Sequence, residues 1–305
     1  MIASSTKETY LKNARALEKS FRRRGLKRSA ASFFDEIERR SGSLRSNTLR
    51  MYKRSAVYRL ESIGDQQAAD QLRAMFDDAE LTTTKKRRLV RRVPDELVDA
   101  LLSVLSNRPT IIAKKTHDLL LAMIVTGLRP TEWELATIEG NVLTVKNAKY
   151  KEGVRANGEY RELELLPSVT ADERAAIERC MALFSRSPYQ SVRPNISVEF
   201  KSALGTAIEM AGLTKWFYRL RIYDFRHQFS ADAKQEHGIG AGVVAAAMGH
   251  SVEDTAVSHY GKKKHGSGRS KVMPSKASIA KVRRLYKPDT PAPSPSPTPS
   301  PSNKF

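Results

Sequence analysis

Three short polar clusters lie within otherwise apolar, helix-like sequence in the second half of the chain. They are TGLRPTEWEL around Arg129, YDFRHQF around Arg226, and MGHSVEDTAVSHYG around His250 and Tyr260. Each places an arginine, histidine or tyrosine beside a glycine or a helix start, where side chains project from a scaffold. A cation at such a break is well placed to face a cleft and to bind a negatively charged group.

Each cluster has a simpler interpretation when it is taken alone. An arginine near a helix start usually lies at the surface or pairs with a carboxylate, and Glu132 and Asp224 are close enough in sequence to be those partners. A helix tyrosine such as Tyr260 is commonly packed into a core. The functional interpretation therefore depends on the clusters occurring together.

The three clusters in this order resemble the catalytic domain of the tyrosine recombinase (phage integrase) family. TGLRPTE is similar to the segment that holds the family's first catalytic arginine, which maps to Arg129. YDFRHQF places the second arginine at Arg226, and Tyr223 stands where the family's His-x-x-Arg pattern has histidine. MGHS is similar to the Leu-Gly-His-Ser segment and gives His250, and the tyrosine about one helix later is Tyr260.

The resemblance also implies a catalytic lysine on a β-hairpin after the first arginine. The segment NAKYKEGVRANGEYREL matches that region, with Lys149 as the best alignment and Lys146 and Lys151 as alternatives. The resemblance runs from about Pro94 to Tyr260. It implies a mainly α fold with a small β-hairpin or sheet, in which a helical core-binding domain precedes a mixed α+β catalytic domain.

The chemistry of phosphodiester attack explains these residue types. Negative charge gathers on the nonbridging oxygens, and fixed cations lower the barrier. Arg129 and Arg226 suit this role because a guanidinium stays charged and grips two phosphate oxygens at once. His250 and Tyr223 would add hydrogen bonds, although a phenol cannot serve as a cation near pH 7 as imidazole can. Lys149 would protonate the departing 5′ oxygen.

Tyr260 would be the nucleophile that stores the bond energy as a 3′-phosphotyrosine, so that rejoining needs neither ATP nor a metal. We expect no cofactor and no metal, because the six histidines are dispersed, without a His-x-x-x-His pair or a nearby carboxylate cluster. The resemblance implies a site-specific DNA recombinase that integrates or excises a mobile element. It also implies a homotetramer on two paired double-stranded DNA sites.

Hydrophobic spacing predicts the elements that position these groups. Helices are predicted near Pro94 to Ser106, Thr110 to Thr126, Ala171 to Phe184, Val198 to Ala211, Asp224 to Glu236, Ala241 to Met248 and Ser275 to Leu285. NVLTVKN and YRELELL are predicted strands around a loop rich in Gly, Lys and Asn. GKKKHGSGRSK is expected to be a flexible basic loop. The last helix carries Ile279, Val282 and Leu285 on one face, so it needs a partner surface on its own domain or on a neighbouring protomer.

The sequence of residues 1–81 predicts a basic, helical DNA-binding domain. Its helices are expected near Tyr10 to Phe21, Ser29 to Arg40, Leu44 to Ile63 and Gln66 to Phe76, with exposed basic faces that could lie along phosphates or simply be solvated. LTTTKKRRLVRRVP then predicts a basic linker at 82–93, which crosses a DNA backbone or acts as a flexible tether. The catalytic domain follows over 94–287, and the Pro/Ser-rich tail at 288–305 is expected to be disordered.

Composition favours nucleic acid as the partner. The 305 residues include 53 Lys and Arg against 33 Asp and Glu, for a formal charge of +20. No apolar run approaches the roughly 18 residues of a spanning helix, and the start lacks a signal-peptide apolar stretch. We therefore expect a soluble, cytoplasmic protein with no membrane partner. Cys180 is the only cysteine, which excludes an intrachain disulfide.

Three other classes compete with the recombinase. A non-catalytic DNA-binding relative of the same fold, such as a repressor or architectural protein, gains support from Tyr223 at the histidine position. A type IB topoisomerase would use similar chemistry on DNA without pairing two sites. A metal-dependent nuclease conflicts with the missing carboxylate cluster.

Overall fold

The structure, a computed structural model, describes residues 4–83, 92–150, 156–238, 242–252, 262–268 and 270–283. The chain divides into two compact units, Met1–Arg88 and Leu89–Phe305. The division falls inside the predicted linker, whose residues 84–91 lie outside the described residues, as does the predicted tail. The domain bounds given by the sequence therefore stay a prediction.

The first unit is helical in its described residues. Its helices are α1 (Ser4–Arg22), α2 (Ala30–Ser41), α3 (Ser46–Ser62) and α4 (Gln66–Asp78). Ser29 caps α2 by accepting a hydrogen bond from the Ser32 amide, and Asp65 caps α4 in the same way. The apolar faces of the helices meet in one core, where the rings of Phe21 and Phe33 pack edge to face with centroids 5.2 Å apart.

Several arginines of this unit serve the fold in addition to any role at its surface. The carboxylate of Glu36 is fully buried and pairs with Arg24 at 2.5 Å. Glu18 pairs with Arg28 at 2.7 Å and with Arg59 at 3.0 Å. These three arginines lie in the segment whose basic faces were predicted to lie along phosphates, and the structure assigns them carboxylate partners within the unit.

The second unit combines helices with one antiparallel sheet. The helices are α5 (Asp95–Ser106), α6 (Ile111–Thr126), α7 (Ala171–Arg186), α8 (Tyr189–Met210), α9 (Ile222–His237), α10 (Val243–Ala247) and α11 (Lys276–Ala280). The strands are β1 (Thr137–Glu139), β2 (Val142–Lys146), β3 (Tyr160–Leu165) and β4 (Val272–Pro274), in the order β1-β2-β3-β4. Short 3-10 turns occupy Pro130–Leu135, Lys215–Arg219 and Lys263–His265. The predicted mainly α fold with a small sheet is confirmed.

Three sequence predictions differ from the observed elements. Helix α11 ends at Ala280, before the predicted end at Leu285. Helix α8 begins at Tyr189, well before the predicted start at Val198, and runs through Pro194. A proline removes one amide donor and its ring crowds the carbonyl four residues earlier, and both costs fall near the start of this helix. Strands β1 and β4 were not predicted, because each is too short to show the alternation of apolar and polar residues that marks a strand.

The sheet directs one of its faces into the core of the second unit. Leu143 of β2 pairs with Leu163 of β3, and Val145 pairs with Arg161. Because side chains alternate along a strand, Arg161 points inward together with Leu163 and Leu165, and it is fully buried. An arginine on the core face of a strand needs polar partners, and these lie in the candidate site described below.

The end of the described chain packs on its own unit. The amide of Ser267 donates to Asp232 of α9 at 2.8 Å, so the described part of the predicted flexible loop is anchored. In α11, the Ser278 hydroxyl accepts a hydrogen bond from the Glu162 amide at 3.0 Å, and Val282 just after the helix is buried. The sequence left open whether this helix docks on its own domain or on a neighbouring protomer, and in the structure it packs on its own domain. Leu285, one of the three predicted apolar residues, lies outside the described residues.

Across the described residues, no helix combines the length and the apolar character that a membrane span requires.

Candidate phosphate-binding site

A buried carboxylate, Glu132, organises the positive groups of the second unit. Its Oε1 accepts a hydrogen bond from Arg129 Nη1 at 2.5 Å, and its Oε2 accepts one from Arg161 Nη2 at 2.8 Å. Arg226 Nη1 lies 3.7 Å from the same Oε2. All four residues are at most 7% exposed. Three guanidiniums around one carboxylate leave an excess of positive charge, which suits the site to an anion.

The TGLRPTE segment forms the turn that delivers Arg129. Helix α6 ends at Thr126, and the next residue, Gly127, caps it with a φ of +65°. A Cβ there would lie 2.2 Å from the Phe229 ring, so both the backbone angle and the close packing require glycine. The Arg129 amide then donates to Glu132 at 2.9 Å at the start of the 3-10 turn. The same carboxylate thus holds both the backbone and the side chain of Arg129.

Arg226 joins all three polar clusters of the sequence. Its Nη1 donates to the carbonyl of Gly127, in the first cluster. Its Nη2 donates to the carbonyl of Met248, in the third cluster, at 2.5 Å. The side chain is fully buried on α9. The structure therefore brings Arg129, Arg226 and the chain around His250 to one place.

The MGHS segment places His250 at the end of a tight turn. Gly249 has a φ of +66°, and a Cβ there would lie 2.3 Å from Asn147 Oδ1 and 2.8 Å from Arg161 Nη1. Only glycine allows the chain to pass this close to the buried polar groups. His250 itself is buried.

The electrostatics of the cluster fix the charge states of two groups. Burial, followed by the charges of Arg226 and Arg129, lowers the pKa of His250 to about 2. Burial alone would raise the pKa of Glu132, but the three surrounding guanidiniums outweigh it and hold that pKa well below its usual range. At neutral pH the site therefore contains an ionised carboxylate and a neutral imidazole, which is a hydrogen-bonding group here and not a cation.

The depressed pKa of His250 predicts a loss of stability in acid. Below pH 6.5 the unfolded chain protonates this histidine, whereas the folded protein excludes that proton until about pH 2. The free energy of unfolding must then fall as the pH decreases through this window. We expect His250→Asn to reduce the pH dependence of that free energy by about one proton below pH 6.

Urea unfolding at several pH values would measure this effect. The chain has two tryptophans, Trp133 and Trp216, so their fluorescence reports on the second unit. The matched control is His117→Asn, which removes a partly exposed histidine that pairs with Asp118. Identical pH dependences for the parent protein and His250→Asn would contradict the buried, neutral state.

Tyr223 lies one turn before Arg226 on α9 and is partly buried. Its ring contacts the ring of His227 edge to face, with centroids 5.6 Å apart. Positions three apart on a helix share a face, so the phenol lies on the same side of α9 as the arginine. Tyr223, which stands where the tyrosine recombinase family has histidine, therefore lies on the helix face that carries Arg226.

The hairpin lysines have different surroundings. Lys146 on β2 pairs with Glu159 at 3.0 Å, and this hydrogen bond raises the pKa of the lysine. Lys149 is exposed in the turn after β2, and the preceding residue, Ala148, donates its amide to Glu132 at 3.4 Å. The backbone next to Lys149 is thus tied to the arginine cluster. Lys151 lies outside the described residues.

Tyr260 also lies outside the described residues, which stop at residue 252 and resume at 262. Its role as a nucleophile stays a prediction from the sequence. Within the described ranges, His, Cys, Asp and Glu side chains form no group of three that could hold a metal ion.

The sequence patterns did not predict that Arg161, Asn147 and Asn157 belong to the buried network. The Arg161 side chain donates from Nε to the carbonyl of Ala247 at 3.0 Å and from Nη1 to Asn147 Oδ1. Asn157 donates to the carbonyl of Ser278 at 3.2 Å. The alternation in YRELEL was the available signal, because it places Arg161 on the same strand face as the two leucines. Glu132 was recognised only as a possible partner of one arginine.

Comparison with known proteins places the fold. No protein-family model and no curated protein sequence matches the chain. The crystal structure of a lambda integrase dimer bound to a COC′ core site is similar, with a TM-score of 0.54 and 15% sequence identity. The match covers 88% of this chain and 73% of that chain. The fold is therefore a tyrosine recombinase fold, as the sequence resemblance implied.

Proposed function

We propose that the protein is a site-specific DNA recombinase that cuts and rejoins strands through a 3′-phosphotyrosyl intermediate. The observation that carries the proposal is the cluster of Arg129, Arg226 and His250, which three separate sequence segments build around Glu132. A fold similar to that of a DNA-bound integrase supports the same conclusion. The enzyme would need neither metal nor ATP, because the tyrosyl ester conserves the energy of the phosphodiester.

Each group has a distinct role in the proposed reaction. Arg129 and Arg226 would hold the nonbridging oxygens of the scissile phosphate and stabilise their charge as the phosphorus becomes pentacoordinate. His250, neutral at physiological pH, and Tyr223 would donate hydrogen bonds to the same oxygens. Tyr260 would attack the phosphorus, and Lys149 would donate a proton to the 5′ oxygen as that bond breaks.

The proposed partner is double-stranded DNA, and the proposed assembly is a homotetramer on two paired sites of a mobile element. The structurally similar lambda integrase is a dimer bound to DNA. The formal charge of +20 on this chain favours the same kind of partner. The protein would act on DNA in the cytoplasm and would be encoded by a prokaryote, a virus or a mobile element.

A non-catalytic DNA-binding relative is the second candidate, and Tyr223 is the observation that favours it. A phenol donates a hydrogen bond but supplies no positive charge near neutral pH. A binder would retain the fold and the arginine cluster while failing to break the phosphodiester.

Strand exchange in the presence of a chelator separates the two candidates. A labelled duplex from the end of the encoding element is incubated with the protein, EDTA and an unlabelled duplex that carries the same site. A recombinase joins the label to the second duplex, whereas the binder shifts the duplex without changing its length. Products that form only when EDTA is left out would point to a metal-dependent nuclease instead.

The charge of the chain predicts strong salt dependence of DNA binding. Lysines and arginines that contact phosphates displace counterions, so affinity falls with a slope set by the number of contacts. We expect affinity for duplex DNA to decrease by at least about 100-fold between roughly 50 and 200 mM salt. Fluorescence anisotropy of a labelled duplex measures this change, and an affinity that stays nearly constant would contradict phosphate-dominated binding.

A further inference from the structure

An exposed aromatic and basic surface precedes α9. It is formed by the turn Lys215–Arg219, with sequence KWFYR, and by Arg221. Trp216 and Tyr218 are 38% and 40% exposed and lie two residues apart. Lys215, Arg219 and Arg221 are also exposed, and residues 215–221 contain no acid. Aromatic rings among cations match a nucleic acid strand, whose bases stack while its phosphates attract the charges.

The fold holds this surface in place. Lys201 of α8 donates from Nζ to the carbonyl of Tyr218 at 2.7 Å and to that of Leu220 at 2.6 Å. Leu220 is fully buried in the core of the unit. The Tyr218 ring packs over Gly205, where even a methyl group would meet it at 3.5 Å. These contacts hold the backbone of the turn against the core of the unit, so the exposed rings are presented on a rigid support.

Arg219 adds to the platform. Its guanidinium lies 4.5 Å from the centroid of the Trp216 ring. Trp216 stays 38% exposed with this cation against its ring. Guanidinium, indole and base in one stack would combine cation–π attraction with base stacking.

The surface is close in sequence to the candidate phosphate-binding site. Tyr223 is five residues beyond Tyr218, which limits the distance between their Cα atoms to roughly 18 Å. At about 3.4 Å per base step, that is at most some five nucleotides along a strand. A strand whose phosphate is held at Arg226 would therefore bring nearby bases within reach of the two rings.

We propose that Trp216 and Tyr218 form a stacking platform for unpaired bases of DNA. Bases in an intact duplex hide their faces against one another, whereas unpaired bases expose them to aromatic side chains. The position of the platform near a cleaved phosphate rests on the proposed function, but its affinity for unpaired bases does not. The platform would hold the strand end that becomes unpaired after cleavage.

Tryptophan fluorescence tests the platform directly. Trp133 is fully buried, so a change caused by DNA reports on Trp216. The probes are a 12-nucleotide oligodeoxythymidine and a blunt duplex of the same length, at physiological salt. We expect the single strand to quench the fluorescence and the duplex to leave it nearly unchanged. The absence of quenching at saturating single strand would overturn the proposal.

Variants give a second readout that does not depend on fluorescence. Trp216→Ala and Tyr218→Ala are each expected to weaken single-strand affinity by about 10-fold, and Trp216→Phe should retain most of it because a ring remains. Ile111→Ala and Val198→Ala are matched controls that remove strongly exposed apolar side chains elsewhere in the unit. Equal losses for single strand and duplex would mean a general DNA contact and would overturn the platform.

The two proposals fail in different ways. If the protein never cuts DNA but the single strand quenches Trp216, the platform stands and the recombinase does not. If the protein exchanges strands but no quenching or single-strand preference occurs, the recombinase stands and the platform does not.

Discussion

Arg226→Lys is expected to slow DNA strand cleavage by about 100- to 1000-fold, the usual effect of losing one fixed donor to a developing negative charge. Lysine keeps a positive charge beside Glu132. However, it lacks the forked guanidinium with which Arg226 donates to the carbonyls of Gly127 and Met248 and would, in the proposed reaction, also bind the phosphate. Affinity for duplex DNA is expected to change by less than about three-fold, because one buried cation contributes little to a large phosphate interface.

Single-turnover cleavage of a labelled duplex and anisotropy on the same duplex give the two quantities. Arg174→Lys, at a partly exposed arginine of the same unit, is the matched control for the loss of a guanidinium. Lysine is preferred to alanine because alanine would also leave buried carbonyls without a donor. If binding and cleavage fell together, Arg226 would be a docking residue and the chemistry would lie elsewhere.

Glu132→Gln is expected to lower the free energy of unfolding by about 3–5 kcal/mol, the range for breaking a buried ion pair. The amide is nearly the same shape, so the change removes the negative charge and leaves little else altered. Arg129, Arg161 and Arg226 would then share a buried space without a counter-charge. Mutual repulsion and desolvation of these guanidiniums cause the loss.

Urea unfolding at neutral pH, followed by tryptophan fluorescence, measures the effect on the second unit. Glu139→Gln is the control, since it removes an exposed carboxylate of the same unit and should change stability by less than about 0.5 kcal/mol. A loss below about 1 kcal/mol for Glu132→Gln would show that the arginine cluster does not depend on this carboxylate.

The sequence predicted the elements of the fold better than their bounds. Amphipathic helices such as α2 and α5 follow from apolar spacing, because burial of one face dominates their stability. The start of α8 was wrong because Pro194 indicates a break, and only the surrounding contacts show that the helix continues through it. Strand β4 depends on pairing with the distant β3, which a local pattern does not contain, whereas β1 pairs with the adjacent β2 and is only three residues long.

The candidate site could be predicted as three segments but not as one network. The glycines in TGLR and MGHS signalled special backbone, and the structure gives the reason: a side chain at Gly127 would overlap Phe229, and one at Gly249 would overlap Asn147. Spacing in the sequence could not show that Glu132 binds arginines from three elements, because strand pairing brings Arg161 to Glu132. The role of Tyr260 stays a prediction.

The proposed reaction requires that Tyr260 become covalently linked to DNA, and a trapped adduct reveals that link. A duplex from the end of the encoding element, nicked near the cleavage site, is incubated with the protein in EDTA and run on a denaturing gel. We expect a protein–DNA band that resists EDTA, disappears in Tyr260→Phe and persists in Tyr160→Phe, a control at an exposed tyrosine. A duplex that is bound without forming the band, or a band that persists in Tyr260→Phe, would contradict the proposed reaction.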